Sequence, residues 1–250
     1  MKTFRPFIRF LFFAYVTTAT VAEIWIRNLF EGEDLDRSMR IRKSWANRLM
    51  KGIGVRLTVK GSIPDQPCIV IANHRSYLDP ILMLCHLNAF PVAKAELASW
   101  PVIGRGAKMA GILYLKRESA KSRAGALAKI QEVIERGYPV IIFPEGTTSA
   151  LDGVLPFKKG VFLLAAKANI TITPVAVLFK NKADYWVGRE KFLQHAGRRF
   201  KEPFIEVCLH YGPILKSDDA TVLLDQTQNW IEQHIVAAKN LPSNEATKNT

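Results

Sequence analysis

Cysteine is scarce in this chain: three residues, Cys68, Cys85 and Cys208, occur in 250. Each lies in an apolar run, so they read as buried thiols, and they offer neither a disulfide framework nor the Cys/His spacing of a zinc site. Other signatures are missing too. There is no Gly-x-Ser-x-Gly elbow for a hydrolase serine and no Walker lysine loop, and Gly104-Arg105-Gly106 lacks the third glycine of a dinucleotide fingerprint. Nor is there a long hydrophobic run. The apolar stretch Phe7 to Ile26 is broken by Arg9 and Glu23, leaving an uncharged core of only Phe10 to Ala22, short of the roughly 20 residues a bilayer span needs. Acidic residues are the minority charge, 22 Asp and Glu against 35 Lys and Arg, for a net charge of +13. That excess implies contact with anionic lipid, phosphorylated substrate or nucleic acid and does not by itself choose among them. Nucleic acid is set aside because the basic residues come without an aromatic stacking platform or a recognisable reading motif.

The placement of the charge is informative. Arg37, Arg40, Arg42, Lys43, Arg48 and Lys51 share one segment with Leu35, Met39, Trp45 and Leu49, which repeat close to helical spacing. A basic amphipathic helix with a tryptophan predicts binding to an anionic membrane surface; the alternative is an ordinary helix whose apolar stripe packs on the core. The preceding Phe7 to Ile26 run has the basic start of a signal peptide, but Thr20-Val21-Ala22 is a weak cleavage site and the cysteines do not look secretory. It is read as an uncleaved anchor, interfacial or marginally spanning. The basic N-terminus and the basic second helix favour a cytoplasmic catalytic face, at the inner membrane in a bacterial cell.

From Val55 onward short β-branched runs alternate with helical stretches. Val55 to Val59, Cys68 to Ala72, Val92 to Ala95, Ile112 to Leu115, Val140 to Phe143, Ile172 to Phe179 and Phe204 to Tyr211 are predicted strands. Predicted helices cover Pro80 to Leu87, Trp100 to Met109, Ser119 to Arg136, Lys158 to Ala168 and Asp219 to Ala238. The alternation predicts a single-domain α/β sandwich around a largely buried mixed sheet, with an N-terminal membrane-associated helical segment. The expected division is an anchor over 1–53, a catalytic domain over 54–240 and a polar, disordered tail over 241–250.

The most informative stretch is Asn73-His74-Arg75-Ser76-Tyr77-Leu78-Asp79, between an apolar strand and a helix start. A neutral imidazole can take a hydroxyl proton at physiological pH, and a carboxylate on its other nitrogen fixes the tautomer and stabilises the imidazolium. This makes His74 a candidate base and Asp79 its orienter. Asp79 also has a structural alternative as the N-cap of a helix whose first position is Pro80. Ser76, two residues from the histidine, reads as a backbone-capping group rather than a nucleophile.

Three further segments follow in order: Gly111-Ile112-Leu113-Tyr114-Leu115-Lys116-Arg117, preceded by Lys94-Ala95-Glu96-Leu97, Pro101 and Gly104; Phe143-Pro144-Glu145-Gly146-Thr147-Thr148-Ser149, followed by Pro156-Phe157-Lys158-Lys159-Gly160; and Thr173-Pro174-Val175-Ala176. With the histidine block, they resemble the glycerolipid acyltransferases, the family typified by 1-acylglycerol-3-phosphate acyltransferase. The resemblance implies transfer of a fatty acyl group from acyl-CoA or acyl-ACP to the free hydroxyl of a lysolipid, with His74 as general base and Asp79 as its partner. It places Arg117, Glu145, Gly146, Thr147 and Lys158 on the acceptor side, with Arg117 as a cation for the acceptor phosphate, and requires no cofactor or metal. Thr148 departs from the family, which commonly has arginine there. Lysophosphatidic acid is the leading acceptor, other lysophospholipids and lyso-aminolipids are the alternatives, and a non-catalytic membrane-binding module is the competing class.

Overall fold

The structure, a computed structural model, describes residues 4–95, 109–115 and 120–240. All seven expected strands form within a residue or two of their expected ends: β1 (Val55–Lys60), β2 (Ile69–Ala72), β3 (Phe90–Lys94), β4 (Leu113–Leu115), β5 (Val140–Ile142), β6 (Ile172–Phe179) and β7 (Ile205–Tyr211). They make one sheet in the order β1-β7-β6-β2-β5-β3-β4. Every pairing is parallel except β6 with β7, so the sheet is mixed, as expected.

The sequence of β2 shows why the centre of the sheet is buried on both faces. Val70 and Ala72 join one apolar cluster while Ile69 and Ile71 join the other, since successive side chains on a strand point to opposite sides. The first face is covered by α1 (Arg5–Glu31), α2 (Leu35–Gly52), α3 (Asp79–Leu84) and α6 (Phe192–Arg199), through residues such as Val16, Leu49, Leu82 and Ala196. On the second face lie α4 (Ala120–Glu135), α5 (Gly160–Lys167) and α7 (Ala220–Asn240), through Ile130, Phe162, Leu223 and Ile231. The helix expected over Trp100 to Met109 lies outside the described residues apart from its last position, and the tail 241–250 lies outside them entirely.

The N-terminal helices differ from expectation in a physically telling way. Helix α1 runs through both charges that interrupt its apolar stretch because each is satisfied. Arg9 donates to the carbonyls of Phe200 (3.2 Å), Glu202 (2.6 Å) and Pro203 (2.9 Å), and Glu23 pairs with Arg27 one turn on at 3.4 Å. One side of α1 is thereby fastened to the protein. The opposite side carries an exposed apolar stripe that includes Ile8, Leu11, Tyr15, Trp25, Leu29 and Phe30, the last 80% exposed. At the turn into α2, Asp34 caps the helix by accepting from the Arg37 backbone N–H at 2.9 Å, and the Arg37 guanidinium reaches back to Glu31 at 2.9 Å.

Helix α2 corrects the expectation that its apolar stripe meets lipid. Met39, Ala46, Leu49 and Met50 are buried in the cores, and the Trp45 indole donates to Thr17 of α1 at 3.1 Å. Three of its basic residues also turn inward: Arg37 towards α1, Lys43 to the carbonyl of His86 at 2.8 Å, and Arg42 into the interior. Arg40, Arg48 and Lys51 remain on the exposed side. Of the two N-terminal helices, α1 is the one that carries exposed apolar surface.

Candidate active site

In the parallel part of the sheet, β2 and β5 lie side by side, and the loops leaving their carboxyl ends carry His74 and Glu145. Open α/β sheets place ligand crevices at this end of their strands. The loop after β2 is pinned at its first residue. Asn73 is fully buried, and its side-chain amide both donates to the Val177 carbonyl (3.0 Å) and accepts from the Val177 N–H (2.8 Å) on neighbouring β6. The Thr173-Pro174-Val175-Ala176 block is thus a buried framework strand beside the loop rather than part of its open surface.

The loop then wraps around one carboxylate oxygen. Asp79 Oδ2 accepts from the backbone N–H groups of Arg75 (2.6 Å) and Ser76 (2.8 Å) and lies 2.8 Å from His74 Nδ1. A carboxylate accepts, so Nδ1 carries the hydrogen and the Nε2 lone pair is left for another group. Asp79 is 0% exposed and the His74 side chain 22%, so the pair is buried at its carboxylate end and open at its imidazole end. The imidazole stacks on Phe143 with centroids 4.3 Å apart, which fixes its plane. Asp79 is the first residue of α3 and Leu78 its N-cap. The carboxylate therefore turns back to the preceding loop instead of capping the helix ahead of it, which corrects the N-cap alternative. Ser76 is fully buried, and its hydroxyl oxygen accepts from the Leu78 N–H at 3.4 Å.

Glu145 reaches the same loop from β5. Its Oε1 accepts from the His74 N–H at 2.7 Å and its Oε2 from the Leu155 N–H at 2.9 Å. Burial raises the carboxyl's pKa above the ordinary value, against the lowering effect of those two N–H partners. Ser149 N–H donates in turn to the His74 carbonyl at 3.0 Å. Gly146 takes φ +74 at this turn, a conformation that suits glycine. Gly146 and Thr148 are half-buried, while Thr147 and Lys158 are exposed. Arg117 lies outside the described residues; β4, which leads to it, runs parallel to β3 at the sheet edge and so points the same way as β2.

Sequence reasoning gave no role to Arg75, whose side chain is the largest fully buried one. Its guanidinium donates to the carbonyls of Ser149 (2.9 Å) and Gly153, tying the histidine loop to the Glu145 loop. Behind them, Tyr77 packs edge-on against Trp186 and Phe192, and its hydroxyl lies 3.2 Å from His195 Nδ1 on α6. A signal for Arg75 was present, since an arginine next to the candidate base is either a substrate cation or a strut. Only the fold shows that it points inward.

Comparison with known proteins follows this geometry. The protein-family model named Acyltransferase matches residues 54–178. Over 170 residues the chain is 32% identical to the chloroplastic 1-acyl-sn-glycerol-3-phosphate acyltransferase BAT2 of Brassica napus, an alignment covering 68% of this chain and 46% of that one. It is 30% identical over 183 residues to the lyso-ornithine lipid O-acyltransferase of Pseudomonas aeruginosa, covering 71% and 70% respectively. The crystal structure of the 1-acyl-sn-glycerophosphate (LPA) acyltransferase PlsC from Thermotoga maritima superposes with a TM-score of 0.73 at 20% identity, over 96% of this chain and 98% of that one. The same fold is therefore present in both.

The Asn73 clamp yields a stability prediction. Asn73→Ala strands a buried N–H and a buried carbonyl on Val177, each costing about 1–3 kcal/mol. Chemical denaturation should therefore show a loss of about 2–6 kcal/mol. An unchanged midpoint would mean that the clamp does not hold the loop.

Proposed function

The chain belongs to the acyltransferase family, and we propose that it moves a fatty acyl group from an acyl-CoA or acyl-ACP thioester to the free hydroxyl of a lysolipid, with His74 as general base. The observation that carries this reading is the 2.8 Å contact between His74 Nδ1 and a buried Asp79 oxygen, with the ring's other side open. A non-catalytic module would leave the histidine satisfied by backbone groups; here its ring partner is a carboxylate.

The chemistry follows from the geometry. With Nδ1–H held by Asp79, Nε2 takes the proton of the acceptor hydroxyl as its oxygen attacks the thioester carbonyl carbon. The tetrahedral adduct collapses with cleavage of the C–S bond, and the imidazolium returns its proton to the departing thiolate. The buried Asp79 charge stabilises the imidazolium in between. Glu145, with both oxygens engaged by N–H groups, serves this step by positioning the His74 backbone. Gly146, Thr147 and Lys158 stand on the acceptor side with Arg117, whose planar guanidinium suits bidentate contact with phosphate.

Lysophosphatidic acid is the leading acceptor, to give phosphatidic acid. Thr148 favours a second reading, a lyso-aminolipid acceptor, since a site with one cation fewer loses more on a doubly charged phosphomonoester than on a zwitterionic head group. Likeness to a protein named as a lyso-ornithine lipid O-acyltransferase supports that alternative. Residues 1–53 act as the anchor of the 54–240 catalytic region, with α1 lying in the interface of an anionic membrane on the cytoplasmic side. A helix bonded along one side to its own protein offers only the other side to lipid.

Three outcomes test these statements. His74→Ala should lower acyl transfer by about 10²–10⁴-fold with vesicle binding intact, Asp79→Asn should leave weak activity, and Ser76→Ala should be far milder; full turnover by His74→Ala removes the base. Replacing Leu11, Tyr15, Trp25 and Leu29 together with serine should release most of the protein from anionic vesicles in a flotation assay, and undiminished flotation would refute docking through α1. In competition between lysophosphatidic acid and a lyso-aminolipid, Thr148→Arg should shift the kcat/KM ratio towards lysophosphatidic acid if the native acceptor lacks the phosphomonoester. An unchanged ratio would show that position 148 does not meet the head group.

A further inference from the structure

Helix α2 makes a set of contacts that its packing alone does not require. Arg42, only 4% exposed, has no carboxylate partner among the described residues and is held by carbonyl groups from two separate segments. Its Nη2 donates to Ala89 at 2.7 Å, and its Nη1 to Ala110 and to Gly111 at 3.2 Å. Ala89 immediately precedes β3, and Ala110 and Gly111 lie three and two positions before the start of β4. One planar group thus gathers the starting ends of two paired strands.

We propose that Arg42 is a positioning residue through which helix α2 sets edge strand β4, and with it the acceptor-binding end of the site, in place. The proposal rests on the reading that Arg117, two positions beyond the end of β4, holds the acceptor's anionic head group. Strand β4 is the element most in need of such a strut. It is three residues long, lies at the sheet edge, and has one strand neighbour among the described residues, joined through Val92↔Leu113, Ala93↔Tyr114 and Lys94↔Leu115.

The local sequence accommodates the guanidinium. Gly111 adopts φ +81, and a Cβ there would stand 3.2 Å from the Phe90 ring and 3.4 Å from Arg42 Nη1. Burying a cation costs several kcal/mol unless hydrogen bonds compensate it. A methionine would fill the same space without that cost, so what the arginine adds is direction: several donors in a fixed fork, matched to carbonyls on two segments. The neighbours of Arg42 fasten the other half of the site. Lys43 donates to His86 at 2.8 Å and Asn47 to Cys85 at 2.9 Å, just past the end of α3, the helix that opens with Asp79. Helix α2 therefore references both the carboxylate that orients the base and the strand that leads to the acceptor cation, and it packs along α1, the proposed membrane helix.

The test uses the full chain in anionic vesicles, with Arg42→Lys and Arg42→Met assayed for acceptor KM, donor KM, kcat and flotation. A displacement of about 1 Å can cost on the order of 10²-fold in catalysis, so Arg42→Met should raise acceptor KM by roughly ten- to a hundredfold. Arg42→Lys, keeping the charge but not the fork, should raise it less. Donor KM and flotation should stay within about twofold of wild type. In an Arg117→Ala background Arg42→Lys should add no further rise in acceptor KM, because the strut then has no cation to position. Hydrogen exchange at Leu113, Tyr114 and Leu115 should quicken in both Arg42 variants.

Equal rises in donor and acceptor KM, or additive effects of Arg42→Lys and Arg117→Ala, would overturn the proposal. If Arg117→Ala alone leaves acceptor KM unchanged, the assignment of Arg117 fails separately. The strut is then decided by exchange at β4, where unaltered protection overturns it. Should Arg42→Met fail to fold, the lysine variant supplies every one of these readouts.

Discussion

A single buried oxygen organises the candidate site. Asp79 Oδ2 draws two backbone N–H groups and one imidazole N–H to itself, closing the stretch from His74 to Asp79 into a loop with little conformational freedom. Once buried, a carboxylate engaged by several donors can hold them only in one arrangement. The other Asp79 oxygen is buried and has no hydrogen-bond partner among the described residues. The orientation of the imidazole is settled during folding and does not have to be achieved when a ligand arrives.

Around that oxygen the loop is held by neighbours on both sides. Asn73 fixes its entry to β6, Glu145 holds the His74 N–H from β5, and Arg75 bridges to Ser149 and Gly153. Each uses a side chain to satisfy backbone polar groups left unpaired where a strand ends. The price of this arrangement is a buried acid and a buried arginine, each hydrogen-bonded to main-chain groups, with a charge attraction between the two beside those bonds.

How much of this was legible in the sequence depended on the range of the interaction. The central strands could be read because they are buried on both faces, which writes continuous apolar runs such as Ile69-Val70-Ile71 and Val175-Ala176-Val177, whereas edge strand β1 could be read from the alternation of its half-buried and exposed residues. The pairing of His74 with Asp79 was readable because it is local, five residues apart around a helix start. Helix α6 was missed: it is eight residues long, and two of its polar residues, His195 and Arg199, are buried through partners remote in sequence, Tyr77 and Asp184. The destination of α2 was misjudged for the same reason. A basic residue in an amphipathic segment normally predicts a solvated head, and nothing adjacent to Arg42 announces that Ala89, Ala110 and Gly111 will offer it their carbonyls.

Helix α1 is fastened on one side by Arg9 and greasy on the other. In plain buffer that stripe has no lipid to meet, and contiguous apolar surface of this kind is then covered by whatever is nearest, which at working concentration is another molecule of the same protein. Particle sizes measured without detergent or lipid would therefore report how α1 hides from water. A preparation that looks monodisperse and large under those conditions says nothing about the number of subunits the protein has at a bilayer.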